Sequence, residues 1–399
     1  ADIPFNTKKI LRPENQYSLQ TFSNKDFLKK FKEFKKEKPY LLLVSRFDGD
    51  LNKSIIEIRN LNNFDLIYKF DKNINEFIDL TDFSKEEFKV IKKNLTLKRY
   101  QFWNPVIDKE GSFYFHSGSP LIKTDFCGNV IWINNEDRFH HSINLDNSFI
   151  WVPSRIFPHS IDNQLVGKNP SDFNDDAITK IDSKTGKIIF QKSVSKILIE
   201  NGMQNILFSS EVFTKNPIHL NDIEPVRKDG LFWKRGDVFL SLRNQSMILL
   251  YRPSTNKIIH KITGEFYNQH DVDIIDSKTI SLFNNNAKSS INGLIVDGNS
   301  EVLLYDFSER KFSKKFEKSL KKNYVSTATH GLSETLKDGS LLIEDRNNGR
   351  ILMFNSDGEL IWEFVNNYNG KVFNLWWSRV LFDDQIRNAI LEKASNLKC

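Results

Sequence analysis

Apolar and polar residues alternate with a period of two along most of this chain, and turn residues break the pattern at short intervals. That leaves room for little but stacked antiparallel strands. Residues 40–47, 55–59 and 66–70 open the series, and 101–107, 112–116, 121–124 and 129–133 continue it. The turns have mechanisms: Lys109-Glu110-Gly111 and Cys127-Gly128-Asn129 both supply residues that tolerate positive φ between strands. The layout of strand, turn and strand returns about every 40–60 residues, a period at which one unit cannot bury its own apolar face and must stack on the next. A propeller of four-stranded blades meets that need. The 33 Phe and 7 Trp among 399 residues suit pleated, heavily packed strands better than a helical bundle.

Later units repeat the layout. Strands are expected at 148–153, 177–182 and 187–191, then at 223–226, 236–243, 247–252 and 257–262. They continue at 270–275, 279–284, 293–296 and 302–306, and end with 330–336, 340–345, 350–355 and 359–365. Helices punctuate the series at 84–93 and 193–201. A basic amphipathic helix is expected at 24–37, with Phe27, Leu28, Phe31 and Phe34 on one face, and Lys38-Pro39 ends it. The chain therefore divides into a lead-in with its helix (1–38), an all-β propeller with short helical inserts (39–382) and a C-terminal helix (383–399).

In a propeller the first strand of each blade runs along the central channel, so residues far apart in sequence meet there. His141, His219, His270 and His330 all precede similar strands and occupy that position. His116, His159 and His260 lie mid-strand or in loops, and simple alternation points His140 to the opposite face from His141. A lone strand histidine is usually structural, satisfied by a carbonyl; four at equivalent positions are harder to explain that way. Arg243 ends the strand that follows His219, Asn221 lies two residues beyond His219, and Gln269 precedes His270. Neutral imidazole is a competent nucleophile near pH 7, and a guanidinium offers forked donors to a tetrahedral oxyanion. Imidazoles at a channel mouth also suit a transition metal. Here no cysteine stands among them, and no dedicated metal or cofactor motif is read.

Lys and Arg number 57 against 51 Asp and Glu, a net charge of +6. So mild and interspersed an excess, without a basic patch, gives no ground for a nucleic-acid partner. No apolar run reaches the ~18 residues of a membrane span. Cys127 and Cys399 allow one long-loop disulfide, or a buried free Cys127 with an incidental terminal thiol. The chain starts Ala1-Asp2-Ile3-Pro4, which a trimmed export signal would explain, so a periplasmic or otherwise exported location is expected.

The ordered set His219-x-Asn221, Ser241-x-Arg243-x-Gln245 and Gln269-His270, before a strand ending at Phe283-Asn284-Asn285, resembles the arylsulfotransferase family. That is the bacterial, PAPS-independent type built on a six-bladed β-propeller. His140-His141, Gly339, Gly349-Arg350 and Trp377-Ser378-Arg379 echo further family motifs, and the match is best over 182–286. Where the family has Phe-Asp-Asn-Gly this chain has Phe283-Asn284-Asn285-Asn286, and the family's large N-terminal β-domain is not evident. The resemblance implies ping-pong transfer of a sulfuryl group from an aromatic sulfate donor to a phenolic acceptor, without a cofactor. His270 would be the sulfated residue and Arg243 the sulfuryl clamp. His219 would be a proton-transfer or anion-binding partner and His141 a further channel histidine, with Asn221, His330 and Gln269 binding substrate. The competing readings are a non-catalytic ligand- or protein-binding propeller and a metal-dependent enzyme using the same histidines.

Overall fold

The computed structural model describes residues 40–209, 211–291, 293–396 and 399; the helix expected at 24–37 lies outside the described residues. Six antiparallel sheets, each with a four-stranded path, form the six blades of a β-propeller. Blade 1 is Leu41–Asp48, Lys53–Asn60 and Leu66–Phe70, completed on its inner edge by Arg379–Leu381 from the far end of the chain. Leu41 pairs with Leu381 and Leu43 with Arg379, so the last strand closes the ring on the first. Blade 2 holds Trp103–Ile107, Phe113–His116, Leu121–Thr124 and Val130–Asn134. In blade 3, Arg138–Phe139 and Asn144–Asp146 share the inner edge of Phe149–Arg155, followed by Asp176–Asp182 and Ile188–Ser193. Blade 4 runs Leu220–Pro225, Val238–Leu242, Met247–Arg252 and Lys257–Thr263. Blade 5 runs His270–Ile274, Thr279–Asn284, Glu301–Asp306 and Lys311–Lys315. Blade 6 runs Leu332–Thr335, Leu341–Asp345, Arg350–Phe354 and Leu360–Val365.

The alternating apolar residues do what their period demands and pack blade face against blade face. Trp151, Ile178, Leu220, Ile223, Leu240 and Leu249 fill the space between blades 3 and 4. Buried carboxylates add directional joints. Asp176 accepts the backbone N–H of Leu220 at 2.9 Å, Asp222 that of Val272 at 3.0 Å, and Asp271 that of Ser333 at 2.8 Å. Glu344 accepts from Trp377 and Ser378 at 3.0 and 2.6 Å. Each bond runs from one blade to the head of the next blade's inner strand, and so sets the register at which the channel residues meet.

Blade 5 departs from expectation. Residues 293–296 are not a blade strand: Gly293–Val296 pairs with Ala287–Ser290 as a separate hairpin, and Glu301–Asp306 takes the third place in the blade. The outer strand Lys311–Lys315 carries too many charges for its alternation to show, and the closing strand Arg379–Leu381 is only three residues long. Cys127 and Cys399 form a disulfide, with Cα atoms 5.1 Å apart. It ties the outer turn of blade 2 to the end of helix Asp384–Asn396, whose Ile386 and Ile390 pack on an aromatic cluster around Phe70, Phe113 and Phe115.

Candidate functional site

The four channel histidines meet. The His141 ring centroid lies 4.9 Å from that of His219, 5.2 Å from His330 and 6.1 Å from His270, and His270 and His330 stack at 5.6 Å. The backbone that delivers them is irregular. His141, His219 and His330 have φ of 60°, 54° and 56°, and Asp271, directly after His270, has 52°. Such left-handed angles are uncommon outside glycine. In blade 5 the register shifts between His270 and Val272, and in blade 4 between Leu220 and Asp222, each leaving one extra residue on the inner strand. Alternation accordingly fails at this rim. His140, expected on the opposite face, lies behind His141, its Nδ1 2.8 Å from that of His141 and its Nε2 3.2 Å from Asp176.

Hydrogen bonding fixes the tautomers. Asn285 donates through Nδ2 to the carbonyls of Thr327 (2.8 Å) and His330 (2.6 Å), so its Oδ1 faces His270 and accepts from Nδ1–H at 2.6 Å. The lone pair of His270 is therefore on Nε2, which the backbone N–H of His330 approaches at 3.1 Å. A second chain runs from Asp176. Its Oδ1 lies 3.2 Å from His140 Nε2, close enough for ion pairing but off the straight line of a strong hydrogen bond. A carboxylate only accepts, so His140 carries its proton on Nε2 and receives His141 Nδ1–H on Nδ1. His141 Nε2 is then an acceptor, 3.3 Å from His219 Nε2, while Asn216 donates to His219 Nδ1 at 2.7 Å. His116 Nε2–H, in turn, holds the His141 carbonyl at 3.3 Å.

Two guanidiniums flank this group. Arg243 and Arg346 open matching 3-10 turns, Arg243–Gln245 and Arg346–Asn348, each after the second strand of its blade, so they stand on either side of blade 5 and His270. Arg346 lies 4.5 Å over the Trp376 ring and reaches Thr329 Oγ1 at 3.4 Å. Among the described residues no carboxylate pairs with Arg243; its Nη1 bonds Asn244, and burial lowers it to about 10. Burial, and then Arg243, push His270 down to about 3. Burial also holds His141, His219 and His330 well below the histidine range, aided by His219 and His140 for the first, Arg243 and Arg155 for the second and Arg346 for the third. The result is a pocket of neutral imidazoles in a positive field, suited to an anion.

Further along the same inner strands the sign reverses. Asp222, Glu224, Asp271, Asp273 and Glu334 are all raised by burial, Asp271 and Asp273 also by neighbouring carboxyls, and Glu334 reaches about 7.

Two expected ligand contacts point elsewhere. Gln269 donates through Nε2 between blades 4 and 5, to Ser241 Oγ and the Met247 carbonyl, both at 3.1 Å, and its buried Oε1 has no partner. Asn221 donates to the Gln269 carbonyl at 3.0 Å, holding the backbone just before His270. Arg346, Asp176 and Asn216 belong to the site without having been singled out; Asn285 was quoted only within a motif, and His140 was expected on the face opposite His141. The repeated Arg-Asn pair at Arg243-Asn244 and Arg346-Asn347 was the available signal for Arg346. One nitrogen each of His141, His270 and His330 lies within 4.8 Å of the others, a grouping that could hold a metal ion if the rings drew closer.

The sequence profile of the arylsulfotransferase (ASST) family matches residues 110–367, well over half the chain and all of blades 3 to 6. The chain belongs to the arylsulfotransferase family. No curated protein matches it. A protein of unknown function from Bacteroides caccae superimposes with a TM-score of 0.53 at 10% identity, covering 87% of this chain and 100% of that one. The Neurospora crassa Pan2 WD40 domain gives 0.42 at 10% identity over 78% and 74% of the two chains. Virginiamycin B lyase from Staphylococcus aureus gives 0.38 at 10% over 67% and 71%. Likeness at this identity speaks to fold alone. Family membership makes small aryl compounds the substrate class, and no helix among the described residues is long and apolar enough to cross a membrane.

Proposed function

We propose that this arylsulfotransferase moves a sulfuryl group from an aryl sulfate ester to a phenol through a sulfohistidine at His270. The observation that carries the reading is the Asn285 bond, which keeps the His270 proton on Nδ1 and leaves Nε2 as the lone pair inside a ring of imidazoles and guanidiniums. In the first half-reaction Nε2 bonds to sulfur as the S–O bond to the aryl group breaks and an aryl oxide leaves. The His330 N–H now on Nε2 must yield as the donor binds. In the second half the acceptor oxygen bonds to sulfur, the S–N bond breaks, and the phenolic proton is lost. Negative charge builds on the sulfuryl oxygens in both steps, and Arg243 and Arg346 supply fixed, partly desolvated cations on either side of it. His219 and His330 complete the anion-facing wall. Trp103, whose ring centroid is 6.5 Å from His141, offers an aromatic face to the aryl group. The disulfide fits an oxidising, exported setting such as the periplasm.

The test is p-nitrophenyl sulfate with phenol as acceptor. Wild-type protein releases p-nitrophenol and forms phenyl sulfate; His270→Ala, folded as judged by circular dichroism, does neither. Turnover unchanged in that variant removes His270 from the reaction. A metal-dependent reading rests on the spacing of His141, His270 and His330. The guanidinium charges that repel protons from His270 and His330 repel a dication in the same way, which is why the anion reading ranks first.

A further inference from the structure

We propose that His141 is the base that takes the acceptor's phenolic proton, and that His140 and Asp176 form a relay carrying the resulting charge away from the sulfuryl group. This deepens the sulfotransferase reading and rests on it. His141 Nε2 faces the other imidazoles, while Nδ1 is bound 2.8 Å from His140 Nδ1, and His140 Nε2 lies 3.2 Å from Asp176. Each ring nitrogen in the row has one role, set from the carboxylate end: Asp176 accepts, His140 passes, His141 is left with its lone pair towards the reacting centre. His219 Nε2–H fills that lone pair at 3.3 Å in the resting site, and the acceptor hydroxyl takes its place.

The proton count closes. As the acceptor oxygen bonds to sulfur and the S–N bond to His270 breaks, the phenolic proton moves to His141 Nε2 and His141 Nδ1–H moves to His140 Nδ1. His141 ends neutral in its other tautomer, and the charge rests as a His140 imidazolium against the Asp176 carboxylate. Asp176 is built for that load: it is fully buried, and it is also held by Arg155 Nε at 3.1 Å and Leu220 N–H at 2.9 Å. The relay returns the proton by the same row, His140 to His141 Nδ1 and His141 Nε2 to the aryl oxide leaving in the next turnover. Asp176 and His140 touch no substrate; they are positioning residues acting through His141.

The decisive experiment compares acceptors rather than rates alone. Asp176→Asn keeps an oxygen for Leu220 but turns an N–H towards His140, reversing the row and placing a proton on His141 Nε2. With p-nitrophenyl sulfate as donor, transfer to phenol, which is protonated at pH 7, should fall about 100-fold or more, the usual weight of a general base. Transfer to pentafluorophenol, already ionised at that pH, should stay near wild type. His140→Asn, which leaves the Asp176 bonds to Leu220 and Arg155 intact, should show the same acceptor selectivity and serves if Asp176→Asn does not fold. Equal losses on both acceptors in the folded variants would make Asp176 merely structural and overturn the relay. Failure of wild-type protein to release p-nitrophenol at all would instead overturn the transferase reading beneath it.

Discussion

The pH dependence of donor cleavage follows from the surroundings of His270. Its nucleophile is the neutral imidazole, and burial with Arg243 nearby holds its pKa at about 3 rather than the ordinary 6.5. A free histidine would be only about 3% neutral at pH 5, whereas one titrating near 3 is about 99% neutral there. The burst of p-nitrophenol without acceptor should therefore keep the same rate constant from pH 8 down to pH 5, about 30-fold above what an ordinary histidine allows. Rapid-quench mixing into base, with the product read as p-nitrophenolate, measures it. The fold must be checked at each point, because the same shift bears on stability. An unfolded histidine takes up a proton below about pH 6.5 that the buried one refuses, so stability falls as pH drops from there towards the folded value. The raised carboxyls, such as Glu334 at about 7, act in the opposite sense: they favour the native state at low pH and cost stability as pH rises past their unfolded values. An inflection near pH 6.5 in a protein still folded at pH 5 would refute the argument.

Other outcomes follow from the same geometry. Asn285→Leu strands the Thr327 and His330 carbonyls and frees the His270 ring, so it should cost about 1–3 kcal/mol in denaturant unfolding and most of the activity. Asn285→Asp, which still accepts from Nδ1–H, should lose comparable stability but retain far more donor cleavage; equal activity losses would show that the tautomer is not what Asn285 sets. Replacing Cys127 and Cys399 by serine should lower thermal stability by about 2–4 kcal/mol with turnover intact, and no change in Tm would mean the bridge contributes nothing in solution. Elemental analysis of purified protein should find transition metal well below one ion per chain; a stoichiometric ion that disappears in His141→Ala would move the account to the metal reading.

The fold was legible because it rests on alternation and turn chemistry, both local. Strands 66–70, 121–124, 247–252 and 279–284 end where the sequence pattern ends, since Gly, Asn or Pro stands near their boundaries. A strand as short as Arg379–Leu381 shows no period, and charge masks that of Lys311–Lys315. At the site, repeat position was enough to bring His141, His219, His270 and His330 together. Side-chain direction was not readable, because left-handed residues and bulges at the strand heads override the two-residue period. That is why His140 ends up hydrogen-bonded to His141 while Asn221 and Gln269 hold the space between blades. Partners supplied from another strand of the same blade, such as Asp176 to His140 or Asn285 to His270, depend on how the bulged strand heads come together and leave no trace in any single window of sequence.

The central claim is that sulfur bonds to one histidine, His270. Incubating the protein with an aryl sulfate in the absence of acceptor, digesting it at alkaline pH and mapping the peptides by mass spectrometry tests this directly. The account predicts one added SO3 on the peptide containing His270, removed on addition of phenol and absent from His270→Ala. Protein that turns over the donor while this peptide stays unmodified, or that carries the group on His141, His219 or His330 instead, would contradict it.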